Sequence, residues 1–355
     1  MGAIKNLVFR WKRDVVGVIK YLTLSTTSTA SGWTPLLVTN TGAPLTWDVT
    51  GGVTTSQTLD KPIFNLSANV GTANMNVYDV SNLTNINLGA LSLTNIDSSS
   101  VSTLEELSVG DNDLTLLDVS QNTDLTILHC GLNSLSSLDV SQNINLATLN
   151  CRSNSLTTLD VSQNVALLSL SCYLNSITTI DVGTNINLTD LNTSDNPINT
   201  LDVSANTNLS YLTCTSNLLT TLDVSTNTAL TNFTCNDNSL TSINISTNVN
   251  LVNFSCGGNL ITTLDFTNNT ALQGVGCFNN SLTTLDISGN PLVNQVLCFG
   301  NNFSIAVTNQ IFIDLDTNGV TNGFLYCRDN ADGLGLVARG NLIGKGWTID
   351  DSYIT

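Results

Sequence analysis

The residues with the spacing of a metal site lie near the C-terminal end of the sequence. Asp314, Asp316 and Asn318 precede Gly319 and match the D-x-D-x-N-G opening of a calcium-binding loop. The twelfth position of such a loop is Leu325, where calcium needs a bidentate Glu. A turn at the end of a helix, with Gly319 as its stop, explains the same residues. We therefore expect no resident metal or other cofactor, with calcium at these three residues as the alternative.

Residues for acid–base or nucleophilic catalysis are scarce. The one histidine, His129, precedes Cys130 on the predicted outer side of a strand. A catalytic triad needs a base beside a Ser or Cys nucleophile, and none can be assembled here. No glycine-rich phosphate loop follows a predicted strand. A carbohydrate-active enzyme would need two carboxylates clustered in a cleft, so the sequence favours a protein that is not an enzyme.

Aspartates recur every 21 residues and form a predicted ladder that is broken by Asn244. Its members are Asp118, Asp139, Asp160, Asp181, Asp202, Asp223, Asp265 and Asp286. Stacked carboxylates are candidate calcium ligands. The favoured interpretation is that they are solvated and bond neighbouring turns through Ser and backbone groups, because like charges in water repel only modestly.

Cysteines recur at the same interval, and an inward-facing ladder of reduced thiols is the favoured interpretation. Disulfides between adjacent strands are the alternative, and zinc is disfavoured because no C-x-x-C occurs. Cys327 is predicted to lie outside the ladder. The ladder members are Cys130, Cys151, Cys172, Cys214, Cys235, Cys256, Cys277 and Cys298.

These ladders reflect a 21-residue repeat that organises most of the chain. The phrase L-x-x-L-x-C-x-x-N first starts at Leu125, and a phrase built on Leu-Asp-Val-Ser first starts at Leu117. The alternation of Leu128 and Cys130 with polar neighbours predicts a short strand with an inward and an outward side. The Asn closes a turn by bonding backbone groups. The two halves of each repeat have the same spacing of two leucines, a third apolar residue and an Asn. This similarity predicts extended segments on both sides of the coil.

This pattern resembles the leucine-rich repeat, in the 21-residue cysteine-ladder form of internalin-type bacterial adhesins and of similar phage-encoded virion proteins. The resemblance covers residues 83–303. It implies a mainly β fold, a right-handed and nearly straight solenoid of about 11 turns. It also implies binding of proteins or glycans rather than one fixed function.

The segments outside the repeats are predicted to have other structures than the solenoid. Residues 25–82 have the short-strand pattern of a small β cap, and residues 304–355 that of a mixed α/β cap. Residues 1–24 form a basic and apolar arm, which we expect to anchor the chain to a larger assembly. The residues assigned to anchoring are Lys5, Arg10, Trp11, Lys12 and Arg13.

Composition limits the partners. The chain is 41% hydrophobic and 10% charged, which excludes general disorder. Its net charge is −17, although residues 1–20 hold five basic side chains against one acidic one. Such an acidic surface disfavours nucleic acid. No apolar stretch is long enough for a membrane span, and that at residues 15–19 is too short for a secretory signal.

The outward side of the strands is the candidate binding face. Most of its side chains are small and uncharged. The aromatic side chains are the exceptions, and they can stack on a sugar or anchor a protein. The candidate residues are Tyr173, Tyr211, Phe278 and Phe299, together with Arg152 and His129.

A composition rich in Ser, Thr and Asn, with few Lys and Glu, is typical of extracellular surfaces, yet the sequence shows no secretory signal. This combination favours a bacteriophage particle, because lysis releases proteins without export. The sequence thus predicts a virion surface protein, such as a head fibre, a decoration protein or a tail receptor-binding protein. The arm would hold it to other virion proteins while the solenoid contacts a host protein or glycan. The alternative is an internalin-like adhesin at the bacterial surface. Homo-oligomerisation through the arm stays open.

Overall fold

The computed structural model describes residues 83–90, 93–327 and 333–350, together with the backbone of seven strands between residues 21 and 78. The chain divides into two compact units, Met1–Ile177 (unit 1) and Thr178–Thr355 (unit 2). In both units the repeats stack parallel strands, so the chain is a parallel β-solenoid of about 12 turns. Its regular elements are mostly strands, with two helices in the described residues.

Unit 1 begins with antiparallel strands, which form a β cap. Of the seven strands given next, the first pairs with the seventh and with Leu93–Asp97, the fourth with the fifth and the seventh, the second with the sixth, and the third with Leu83–Asn87. The strands are β1 (Tyr21–Thr26), β2 (Ser31–Trp33), β3 (Leu36–Thr39), β4 (Thr46–Thr50), β5 (Gln57–Thr58), β6 (Phe64–Asn65) and β7 (Ala73–Tyr78). Because β1 starts at Tyr21, the predicted arm overlaps the cap by four residues. The five anchoring residues lie outside the described part of the chain.

The solenoid of unit 1 follows this cap. Its strands are β8 (Leu83–Asn87), β9 (Leu93–Asp97), β10 (Glu106–Ser108), β11 (Ile127–His129), β12 (Thr148–Asn150) and β13 (Ser169–Ser171). All except β9 form one parallel ladder in which each residue pairs with the one 21 positions along. This register keeps equivalent residues of successive turns side by side.

Unit 2 continues the same pattern and ends in the α/β cap. Its elements are β14 (Asp190–Asn192), β15 (Tyr211–Thr213), β16 (Asn232–Thr234), β17 (Asn253–Ser255), β18 (Gly274–Gly276), β19 (Gln295–Leu297), α1 (Ile305–Asn318), β20 (Phe324–Tyr326), α2 (Gly333–Gly344) and β21 (Thr348–Asp350). Strands β14 to β21 pair in parallel in chain order. The sheet therefore extends into the cap, which gives more turns than the 21-residue pattern alone indicates.

The two halves of a repeat differ in structure, although their spacing is alike. In the repeat of β11, Leu128 and Cys130 are fully buried. The second half forms no regular strand in the described repeats after β9. There Asn143 N donates to Val140 O at 3.0 Å, and Leu146 N donates to Asn143 O at 3.0 Å. Two successive tight turns replace the extended segment that was predicted for this side.

Two ladders of asparagine side chains bind the turns together. In the predicted ladder, Asn133 Nδ2 donates to Cys130 O at 3.0 Å and to Val109 O of the preceding turn at 2.9 Å. Its Oδ1 accepts from Leu114 N at 3.0 Å. A second, more deeply buried ladder occupies the tight turns, where Asn143 Nδ2 donates to two carbonyls of the preceding turn. The Oδ1 atom of Asn143 has no partner.

The cysteine ladder is buried and reduced. Burial raises the pKa of the thiols of Cys130, Cys172, Cys214 and Cys277 to about 12. The prediction for Cys327 is wrong. It follows β20, which pairs in register with β19, and its thiol interacts with that of Cys298. The interval between these two cysteines is longer than 21 residues because α1 is inserted between them.

The predicted start of a calcium loop lies within α1, which ends at Asn318 with Gly319 in the left-handed region (φ 77°). Asp316 forms an ion pair with Lys345 at 2.5 Å. Asn318 Nδ2 donates to Ile287 O and Asn290 O, at 3.3 and 3.2 Å. It thereby supplies the last rung of the second asparagine ladder.

Asp314, the first residue of that motif, is buried where α1 packs on the last repeat. It accepts a 2.7 Å hydrogen bond from Gln310 Nε2, and both residues line a cleft of about 380 Å³ shared with Asp286. Burial raises the pKa of Asp314, and the charge of Asp286 acts in the same direction, while the Gln310 hydrogen bond opposes it. The three predicted calcium ligands thus have separate structural partners.

We predict that the two asparagine ladders differ in their contribution to stability. Asn238→Ala removes an acceptor for Leu219 N and a donor to the Cys214 carbonyl, whereas Asn227→Ala removes only donors. Each unpaired buried group costs about 1–3 kcal/mol, so the Asn238 variant should lose more unfolding free energy. Urea unfolding measures both, with exposed Asn250→Ala as a control expected to stay within about 0.5 kcal/mol. Equal losses in the two ladder variants would contradict this.

We also predict that Asp314→Asn stabilises the chain at neutral pH. The pKa of Asp314 is raised in the folded state. Its favourable contribution is therefore present below its ordinary pKa and is lost as the pH rises through the folded value. Thermal unfolding between pH 3.5 and 8 should show a higher midpoint for the variant at pH 7, with the difference vanishing at the acid end. A variant that is less stable at pH 7 would show that the carboxylate is needed in its charged form.

Candidate functional site

The outward residues of β15–β20 form a continuous surface in unit 2, which we call the unit 2 strand face. Strand pairing places these residues in two rows, one through Tyr211, Asn232 and Asn253, the other through Thr213 and Thr234. In its described part, neither row carries a charged side chain between Tyr211 and Tyr326. This face is neutral although the chain has a net charge of −17.

A groove runs along this face above β18. Gly274 and Gly276 form its floor and are buried, whereas the equivalent positions of neighbouring strands carry side chains. The groove has a volume of about 120 Å³. Asn253 and Ser255 line it on the β17 side, and Leu297 lines it on the β19 side. The groove exists because two outward positions of one strand lack a side chain.

Three aromatic rings lie beside the groove. Phe278 stacks on Phe299 with 5.2 Å between ring centroids and 12° between planes. Phe299 in turn contacts Tyr326, with centroids 4.3 Å apart. The other face of Phe278 covers Gly257, where an added β-carbon would collide with the ring. Because each ring covers its neighbour, stacking holds the three rings of this aromatic cluster in fixed positions relative to one another.

Polar side chains complete the face. The amides of Asn232, Asn253 and Gln295 form no hydrogen bond with the described residues. By contrast, Asn236 Oδ1 accepts from Ser255 Oγ and from a backbone N–H, both at 2.7 Å. The three uncommitted amides can each donate to and accept from a ligand. They are half-buried or exposed, whereas the asparagines of the second ladder within the repeats are buried.

The predicted site residues are distributed over both units. In unit 1, Arg152 Nη1 donates to Tyr173 Oη at 2.6 Å, and the guanidinium lies 5.6 Å from the ring centroid. His129 is half-buried on β11. In unit 2, Tyr211 is 49% exposed and forms no contact with the aromatic cluster. The candidate residues therefore form two separate pairs and two single side chains.

Sequence reasoning missed Tyr326 and the glycine floor. Tyr326 lies between Leu325 and Cys327, which repeat the L-x-C pattern of the ladder, and this signal was present in the sequence. Gly274 and Gly276 belong to the outward side of the strands, for which the sequence predicted mostly small and uncharged residues. Their effect depends on the side chains of the two flanking strands.

The Asp ladder is exposed and does not form the predicted contacts between turns. Asp118 Oδ1 accepts from Ser120 N of its own turn at 2.9 Å. Hydrogen bonds from the Ser120 backbone and side chain lower the pKa of Asp118, and the same local arrangement recurs at Asp202. In the described residues, no group of three His, Cys, Asp or Glu side chains is arranged to hold a metal ion.

Comparison with known proteins identifies the fold. No family model and no curated protein matches the chain. A leucine-rich repeat protein of Leptospira interrogans is 22% identical, with a TM-score of 0.68 over 76% of this chain and 72% of that chain. An internalin of Listeria monocytogenes, InlF, is 19% identical, with a TM-score of 0.62 over 78% and 88%.

A third structure is the functional domain of InlJ from Listeria monocytogenes, which includes a cysteine ladder. It is 28% identical, with a TM-score of 0.43 over 69% of this chain, and the match spans just under two thirds (66%) of that domain. No helix in the described residues is long and apolar enough to cross a membrane. With the 21-residue register and the buried thiols, the two better-fitting structures establish that the chain is a leucine-rich repeat solenoid with a cysteine ladder.

Proposed function

We propose that this chain is a non-enzymatic adhesion protein that binds its ligand on the unit 2 strand face. One observation carries the proposal: an acidic chain keeps this aromatic face free of charge. The centre of a binding interface is typically poor in charged residues and rich in aromatic ones. A neutral face therefore fits contact with another molecule better than it fits a solvated surface.

The geometry agrees with binding rather than with a chemical step. The aromatic cluster is held by ring stacking and by its contact with Gly257, so little side-chain entropy remains to be lost on binding. Uncommitted amides beside it can form directional hydrogen bonds. The fold shared with an internalin adds support for adhesion.

For the surface on which the chain is displayed, we favour a virus particle. The basic side chains of residues 1–20 contrast with the acidic remainder, and such an arm suits contact with acidic surfaces of other structural proteins. A bacterial cell surface is the second candidate, which the likeness to an internalin favours.

Two lysine substitutions, one on the strand face and one on the opposite half of the same repeat, test whether the unit 2 strand face is the binding surface. Asn253→Lys introduces a cation beside the groove, whereas Thr263→Lys introduces it at an exposed position in the other half of the same repeat. Beads coated with the chain are scored for adhesion to a panel of bacterial and epithelial cells. We expect Asn253→Lys to reduce adhesion about tenfold or more, the equivalent of roughly 1.4 kcal/mol.

The matched variant should leave adhesion unchanged, and both variants should unfold at the wild-type temperature. Equal adhesion by the two variants would show that the face is not the binding surface. Wild-type beads that adhere to no cell in the panel would contradict the adhesion function.

Deletion of residues 1–20 tests the display site and leaves β1 intact, because that strand starts at Tyr21. Full-length and shortened chains are mixed with the structural proteins of the virus that encodes the chain, and particles are sedimented. We expect only the full-length chain to sediment with particles. If the shortened chain also sediments with particles, the attachment site lies in another segment. If neither chain sediments with particles, the cell-surface alternative is favoured.

A further inference from the structure

Three features run side by side across β16–β20 on the unit 2 strand face. The amides of Asn232, Asn253 and Gln295 form one row, at equivalent positions of their strands. The floor of β18 lies within that row and is made of backbone. Leu297 and Tyr326, which are paired in register, form an apolar edge on the other side with Phe299.

We propose that this groove binds a neutral, extended, β-linked hexose chain that lies across the strands. The inference rests on the proposed function and names the ligand class of the same face. Hydroxyl groups of a sugar both donate and accept hydrogen bonds, as do the uncommitted amides. The C–H face of a hexose is apolar and matches the edge formed by Leu297, Phe299 and Tyr326.

The spacing of the rows supports a chain rather than a single sugar. Parallel strands lie about 4.8 Å apart, so the amide row offers a polar group at that interval, interrupted only at Gly274. One hexose unit of an extended β-linked chain advances by a comparable distance. Successive sugars can therefore meet equivalent side chains on successive strands.

The glycine floor decides where the chain approaches most closely. A β-carbon added at Gly274 would lie 2.6 Å from Asn253 Oδ1, so this amide reaches over the floor. A ligand in the groove would meet that amide together with Ser255 Oγ, which reaches over Gly276 in the same way. Because β18 is paired on both sides, its backbone cannot add a further strand, which disfavours an extended peptide.

The charge of the molecule selects against acidic ligands. The face offers no cation in its described part, and the chain has a net charge of −17. Acidic polysaccharides would be repelled without a compensating ion pair. Neutral saccharides meet no such barrier.

Titration calorimetry with the full chain tests the inference. The neutral β-linked probes are cellohexaose, β-1,4-mannohexaose and chitohexaose; the comparison probes are maltohexaose, which is α-linked, and a hyaluronan hexasaccharide, which is charged. We expect at least one β-linked probe to bind, the corresponding disaccharide to bind about tenfold more weakly or worse, and both comparison probes to fail. These outcomes distinguish chain geometry from general sugar affinity.

Gly274→Gln fills the groove and should lower the affinity for the bound probe at least tenfold. The fold should tolerate it, because neighbouring strands carry Asn253 and Gln295 at the same register and the added atoms meet a movable amide. Thr263→Gln, at an exposed position in the other half of the β17 repeat, should bind as the wild type does. Absence of binding to all three β-linked probes, or equal binding by the Gly274 variant, would overturn the inference.

The bead assay separates this inference from the proposed function. Cell surfaces are treated either with protease or with periodate, which cleaves sugar rings that carry neighbouring hydroxyls; chitinase is added to the periodate treatment because β-1,4-linked N-acetylglucosamine resists periodate. Loss of adhesion after periodate supports the saccharide. Adhesion that survives periodate but is lost in Asn253→Lys would keep the strand face as the binding surface and would show that its ligand is a protein.

Discussion

The structure depends on how the side-chain amides of asparagine satisfy the backbone between stacked turns. A repeat of 21 residues has room for a three-residue strand, and most of its remaining backbone cannot pair within a sheet. Asn133 and Asn143 each donate to carbonyls of the preceding turn, on opposite halves of the same repeat. Buried carbonyls without partners would make the stacking unfavourable, so the amides determine both the register and the period.

The same constraint explains several local features. The residue before the first Asn of a repeat adopts the left-handed region even where it is a leucine, as at Leu132 (φ 56°) and Leu174 (φ 54°). This conformation is unfavourable for leucine. It directs the Leu132 N–H to Arg152 O of the next turn at 2.8 Å, and it positions Asn133 to form its rung. Pairing between turns therefore outweighs local preference.

The residues proposed to bind a ligand are those that differ from the equivalent positions of neighbouring repeats. The inward positions vary little because they must fill the space between turns, whereas the outward positions have no such requirement. Gly274 and Gly276 open a groove, and Phe278 and Phe299 build the cluster beside it. The same amide group serves as a buried rung in the ladders and as a free polar group at Asn253. Burial and hydrogen bonding separate the two roles.

The sequence alone determined the repeat, the inward leucines and thiols, and the first asparagine ladder. These follow from periodic local patterns, because residues 21 positions apart meet in every turn. Only the tertiary structure decided the contacts formed where that period ends. Helix α1 lengthens the interval before β20, and the pairing of β20 with β19 brings Tyr326 to Phe299 and Cys327 to the thiol ladder. Similarly, Asn318 matched a calcium loop by local spacing, yet the packing of its helix on the last repeat makes it the final rung.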